Sequence, residues 1–138
     1  MTVLVDTSVW SLALRRHRKD LSSEQEPFRQ ELAELIREGG ARLIGPVRQE
    51  LLSGVRRDDQ FQQLRVHLRP YEDIPLTTEH YEEAARASNK CRAVGVAGSS
   101  VDFLICAVAM MNGWPVFTTD RDFIGYARHL PLRLHTPR

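Results

Sequence analysis

The sequence is poor in every feature that would commit it to a membrane, a disulfide scaffold or binding by bulk charge. No apolar run approaches the ~20 residues of a membrane-spanning helix. The N-terminus lacks the basic-then-apolar layout of a secretory signal and enters an apolar stretch directly. There are only two cysteines, Cys91 and Cys106, far apart, which excludes a disulfide framework and a cysteine zinc site and fits a reducing, cytoplasmic setting. Five histidines (His17, His67, His80, His129 and His135) show no metal-ligand spacing, so a zinc hydrolase is unsupported. A formal net charge of +1 offers no global attraction for nucleic acid. It does not exclude a nuclease, because an acidic site cancels basic residues in the sum. No P-loop, dinucleotide-binding glycine pattern or Ser-His-Asp layout occurs. No repeat, linker or low-complexity tract divides the chain. With 138 residues, 42% hydrophobic and 27% charged, a single domain over 1–138 with a substantial core is expected.

What is present is an alternation of strands and helices. Val3–Val5 reads as a short buried strand and Val9–Arg15 as a helix, with Thr7 or Ser8 available to cap it. The basic run "RRHRKD" (Arg15–Asp20) breaks the apolar pattern and reads as a loop. In "SEQEPFRQELAELIREGG", Phe28, Leu32, Leu35 and Ile36 have helical spacing, and Gly39-Gly40 ends the helix. "ARLIGP" is a strand and turn. Pro46 suits the first turn of the next helix and Gly54 its end. Asp58–Leu68 and Thr78–Ala93 are further helices, separated by a short, poor strand in "YEDIPL". After a loop over Gly95–Ser100, Val101–Met111 is apolar nearly all round and so a buried helix, stopped by Gly113. "PVFTT" is a buried strand, Arg121–Ala127 a short helix, and "LRLHT" an edge strand. The order implies an α/β fold, three layers α/β/α around a mainly parallel sheet.

Two acids follow strands directly, Asp6 after "VLV" and Asp120 after "VFTT". In open α/β sheets the functional crevice lies beyond the carboxyl ends of the strands, so neighbouring strands would bring them together. Glu50, one turn into the helix after "LIGP", and Asp102, in the first turn of the apolar helix, are placed to join them. Clustered carboxylates repel one another, and a divalent cation is the usual compensation. An all-oxygen set suits Mg²⁺ or Mn²⁺, which activate water and neutralise charge on a phosphate under in-line attack. The chemistry implied is phosphodiester hydrolysis. Each acid also has an ordinary reading. Asp6 fits a helix cap as well as a ligand. "SSVD" (Ser99–Asp102) and "TDRD" (Thr119–Asp122) match capping boxes. Glu50 alone reads as a solvated helix residue. Thr7, Ser8 and Thr118 suit caps and turns as well as supports for the acids. Arg15, Arg16, Arg18, Lys19 and Arg121 fit a solvated basic surface as well as a grip on phosphates.

Taken in order, "VLVDTSVWS", "PVRQELLSG", "VDFLICAVA" and "PVFTTDRDF" resemble the PIN-domain ribonucleases, and among them the VapC toxins of toxin–antitoxin pairs, over nearly the whole chain. The resemblance implies a parallel sheet flanked by helices, an acidic pocket holding Mg²⁺ or Mn²⁺, and endonucleolytic cleavage of RNA, often tRNA or rRNA. It carries catalytic roles to Asp6, Glu50, Asp102 and Asp120, with Asp6, Asp102 and Asp120 as metal ligands. The family's hydroxyl beside the last acid falls on Thr118, and Asp122 is its variable extra acid. Cys106 stands where a small residue is usual. The stretch from Arg56 to Thr77 carries no motif.

Two other functions compete. An aspartyl-phosphate phosphatase would need a second acid two positions after Asp6, where Ser8 stands, and a suitably placed lysine. A PIN-like module that only binds RNA or protein would not require all four acids. The resemblance further implies a homodimer and a VapB-like antitoxin wrapping the toxin, for which an exposed apolar groove around Trp10 and Leu14 is a candidate seat.

Overall fold

The computed structural model describes all residues, Met1–Arg138. In chain order its elements are β1 (Val3–Val5), α1 (Thr7–Leu14), α2 (Glu26–Arg37), β2 (Ala41–Ile44), α3 (Gly45–Leu52), α4 (Asp58–Leu68), β3 (Asp73–Ile74), α5 (Thr78–Ala93), α6 (Ser100–Asn112), β4 (Val116–Phe117) and α7 (Asp122–Ala127). The strands form one sheet in the order β3-β2-β1-β4, every pairing parallel. Leu4 lies opposite both Arg42 and Val116, so the first strand sits between the second and the last.

This order fixes the layers. The steps β1 to β2 and β2 to β3 run one way across the sheet, and the step β3 to β4 returns. Right-handed crossovers therefore put α1–α4 on one face and α5–α6 on the other. The direction reverses between β1 and β4, and in an open parallel sheet ligands bind at that reversal, beyond the strand ends.

The core explains why such short strands hold. Val3, Leu4, Val5, Leu43, Ile44, Val116 and Phe117 are wholly buried, as expected of a sheet covered on both faces. Phe117 stacks on Phe28 of α2 with ring centroids 5.4 Å apart. Buried Phe103 and Ile105–Ala109 make α6 the most enclosed helix, and Cys106 is an enclosed core residue within it. Gly113, at φ +68°, supplies the left-handed turn that ends α6.

Four expectations are corrected. First, α1 begins at Thr7 rather than Val9, which rules out Thr7 and Ser8 as its cap and leaves Asp6 in that role, its extended backbone letting the carboxylate accept from the Ser8 amide. Second, the basic loop holds a short 3-10 turn at Arg18–Asp20. Third, "LRLHT" contributes a single parallel bridge, Leu134 to Val116, rather than a strand. Its neighbour β4 is only two residues long, and Pro131 and Pro137 flank the segment without N–H groups to extend a ladder. Fourth, no exposed groove surrounds Trp10. Its side chain is fully buried, donates to the Val5 carbonyl at 3.2 Å and packs on Tyr71.

Candidate active site

The chain reversal between β1 and β4 makes the site. Asp6 is the first residue past β1. Its carboxylate Oδ2 accepts from the Ser8 hydroxyl at 2.7 Å, the Thr118 hydroxyl at 2.8 Å and, at longer range, the Ser8 amide. Both hydroxyl protons are thereby used on Asp6. The oxygens accept in turn, Ser8 Oγ from the Thr119 amide at 3.0 Å and Thr118 Oγ1 from the Asp120 amide at 2.9 Å. The loop after β4 is thus laced to the start of α1 through Asp6. Oδ1 of Asp6 takes none of these bonds, and since no buried side-chain oxygen is left unpartnered, Oδ1 reaches solvent.

Asp102 approaches from α6. Ser99 caps that helix, accepting from the Asp102 amide at 3.1 Å. The other half of the capping box does not form. Instead the buried Tyr126 of α7 donates its hydroxyl to Asp102 Oδ2 at 2.6 Å. Room for that ring depends on Gly98, where a Cβ would overlap the Tyr126 hydroxyl. In "TDRD" the local bond also differs from a Thr119 cap: Asp120 Oδ1 accepts from the Asp122 amide at 2.9 Å. Carboxylate oxygens of Asp102, Asp120 and Asp122 lie within 4.8 Å of one another, a spacing that one cation could span.

Electrostatics set Asp6 and Asp102 apart from ordinary surface acids. None of the protein's ion pairs involves Asp6, Asp102, Asp120 or Asp122. Burial holds the Asp6 carboxyl above its usual 3.8, against the lowering effect of the Ser8 and Thr118 hydrogen bonds. Burial also raises Asp102 above 3.8; the Tyr126 hydrogen bond opposes this, and the charges of Asp6 and Asp120 add to it. Burial and the charge of Asp102 push the Tyr126 phenol up, so it remains a donor. The oxygen-only donor set, the crowding and the absence of an ion pair to any of the four acids together fit a hard divalent ion.

Glu50 stands apart. It is exposed on α3, outside the cluster, and Thr7 donates to its Oε1 at 2.8 Å across the mouth of the crevice. The structure therefore brings together Asp102, Asp120 and Asp122, ties Asp6 to them through Thr118 and Asp120, and leaves Glu50 on the rim. Tyr126 and Gly98 are the participants that the motifs did not single out. Their only sequence signal is that "FIGYAR" carries a tyrosine on a short helix directly after the last acid.

A parallel sheet with unpaired carboxylates gathered at its reversal point defines an acid-crevice α/β domain. A family model described as PIN domain matches residues 3–129, and the chain belongs to the PIN-domain family. In fold it is similar to FitAcB from Neisseria gonorrhoeae, with a TM-score of 0.75 and 20% identity over 99% of this chain and 98% of that one. It is also similar to VapBC2 from Rickettsia felis bound to a promoter DNA fragment, with a TM-score of 0.72 and 18% identity over 98% of each chain. A toxin–antitoxin complex from Klebsiella pneumoniae gives a TM-score of 0.70 and 18% identity over 99% of this chain and 98% of that one. No curated protein sequence matches significantly.

Proposed function

We propose that this PIN domain, spanning residues 1–138, is a Mg²⁺- or Mn²⁺-dependent endoribonuclease and the toxin of a toxin–antitoxin pair. The observation that carries the reading is the cluster of Asp102, Asp120 and Asp122 beside Asp6, four carboxylates with no cationic partner at the sheet's reversal point.

Asp102, Asp120 and Asp122, with the free Oδ1 of Asp6, are the residues that would hold the ion. Bound there, it supplies water activation and charge neutralisation on the phosphate. Thr118 and Ser8 fix Asp6 in one orientation, and Tyr126 does the same for Asp102, so that each presents one oxygen. Glu50, held by Thr7 at the rim, is assigned as the acceptor of a proton from the attacking water. Arg121, exposed between Asp120 and Asp122 in the chain, is the cation we assign to a flanking phosphate.

The toxin role rests on the likeness in fold to FitAcB, VapBC2 and the Klebsiella complex. It carries a VapB-like antitoxin as partner, a homodimer as the assembly, tRNA or rRNA as the substrate class, and the cytoplasm as the site of action. No helix is long and apolar enough to cross a membrane. The test is cleavage of structured RNA by purified protein with Mg²⁺ or Mn²⁺, together with growth on induction. Cleavage that persists after exhaustive chelation, or equal growth arrest by wild type and Asp6→Asn, would overturn the reading.

A further inference from the structure

The acid crevice sets a problem that it does not solve. Unpaired carboxylates repel a phosphodiester chain, and a net charge of +1 gives the molecule no general attraction for one. If RNA is cut here, its backbone must be held by positive charge concentrated elsewhere. One such concentration lines a groove of about 520 Å³ between the C-terminal end of α1, the turn joining α3 to α4, and one face of α4.

Arg15, Arg56 and Arg57 line that groove with His17 and His67, and no acidic residue does. Arg15 and Arg56 are exposed and take part in none of the protein's ion pairs. Arg57 is bound to Asp59 through both Nε and Nη2, which leaves Arg15 and Arg56 as the available forks. The Arg15 guanidinium lies over the Gly54 turn, 4.0 Å from where a Cβ would stand. Leu14 and Leu64 floor the groove, and Gln60 and Gln63 offer amides along its wall. Two free guanidinium groups suit phosphate oxygens, which they meet in bidentate fashion.

Two helices link the groove to the site. α3 carries Glu50 at the crevice rim, bonded to Thr7, and ends at the groove beside Gly54. α1 runs from the crevice at Thr7 to the groove at Leu14, a span of about 12 Å for its eight residues. A single strand of a few nucleotides covers that distance.

We infer that the Arg15–Arg56 groove binds the sugar–phosphate backbone of single-stranded RNA leading away from the acid crevice. This rests on the nuclease reading for its substrate, but binding is measurable without cleavage. The probe is a short fluorescein-labelled single-stranded RNA titrated with the full chain in EDTA across a salt series, followed by cleavage of the same RNA with Mn²⁺. Arg15→Gln/Arg56→Gln should bind roughly tenfold or more weakly, and its salt dependence should be shallower by about 1.4, near 0.7 per lost phosphate contact. The loss in cleavage should appear mainly as a raised KM. Arg65→Gln/Arg69→Gln, the same charge change at the end of α4 and outside the groove lining, should keep the wild-type salt slope.

Wild type that binds RNA through these arginines yet never cleaves it would retain the groove and overturn the nuclease. Double-variant binding with wild-type affinity and slope would overturn the groove, as would failure of wild type to bind at all. The groove would instead be a protein-docking surface if the variant lost binding to a hexaglutamate peptide and kept RNA, and that result too would overturn the proposal.

Discussion

Asp6 and Glu31 are equally enclosed, 6% and 5% exposed, and their surroundings are opposite. Glu31 sits on the inner face of α2 and is fully paired. His135 contacts its Oε2 at 2.6 Å, and Arg138 Nε and Nη2 reach Oε2 and Oε1 at 2.9 and 3.1 Å. Burial raises its carboxyl, but the hydrogen bonds and charges of Arg138 and His135 outweigh that and hold it below the usual 4.5. Asp6 has only hydroxyls and backbone amides, and stays above 3.8. One buried acid carries its counter-charge within the fold; the other lacks one. Removing a partner from a buried pair is costly, whereas removing charge from a repelling cluster relieves it. The first arrangement is neutralised within the fold, and the second is the one that the proposed metal would neutralise.

The largest expected effect comes from Asp6→Asn. Asparagine caps a helix about as well as aspartate, so the metal-free variant should melt at or above the wild-type temperature. Its cleavage of RNA should fall by about a hundredfold or more, and the rise in melting temperature on adding Mg²⁺ should shrink. Melting with and without metal, beside a cleavage assay, checks both. Wild-type cleavage with an unchanged metal response would return Asp6 to an ordinary cap.

Next is the support behind Asp102. Tyr126→Phe removes the bond to Oδ2 and keeps the ring, so Mn²⁺ affinity measured by calorimetry should drop about 10–100-fold with little loss of fold. Gly98→Ala should act in the same direction by displacing the ring. Metal affinity equal to wild type in both variants would show that Asp102 needs no such support.

Glu31→Gln tests the opposite region. Loss of the paired charge should cost about 2 kcal/mol and lower the melting temperature by several degrees. Metal affinity and cleavage per folded molecule should be unaffected. A shift in metal affinity would mean that the two regions are not independent.

The smallest effect is in pH. Acids held above their unfolded value contribute stability that is present below that value and is lost as pH rises through the folded value; for Asp6 and Asp102 this window opens above 3.8. Glu31 is reversed: its contribution is present above 4.5 and is lost as pH falls through its lowered value. Metal-free melting temperature should therefore rise slightly as pH falls into the crevice window, then decline as Glu31 is protonated. Asp6→Asn should flatten the rise and Glu31→Gln the decline, both measurable by scanning calorimetry across acidic buffers.

Sequence patterns revealed most of the frame because strand and helix periods are local. Val3–Val5 and the apolar α6 announce themselves, and the short, poor strand in "YEDIPL" is two residues long. The acids following strands were legible for the same reason. What sequence did not show depends on distant partners. Glu31 resembles any solvated helix acid until Arg138, 107 residues later, closes on it. Tyr126 resembles plain core until its hydroxyl meets Asp102, 24 residues earlier. Trp10 resembled a docking residue because α1 is apolar on several sides, and Tyr71, which covers it, comes from a stretch without motifs.

The position of β1 has a consequence for the order of assembly. β1 is central in the sheet, and its outer neighbour β4 follows it only after β2 and β3. The bond from Thr118 to Asp6 spans 112 positions, so the crevice closes only after loop entropy across nearly the whole chain has been overcome. A chain still being synthesised holds Asp6, Glu50 and even Asp102 without the segment that joins them. The link from Asp6 to Asp120 therefore requires the loop after β4 to have been made.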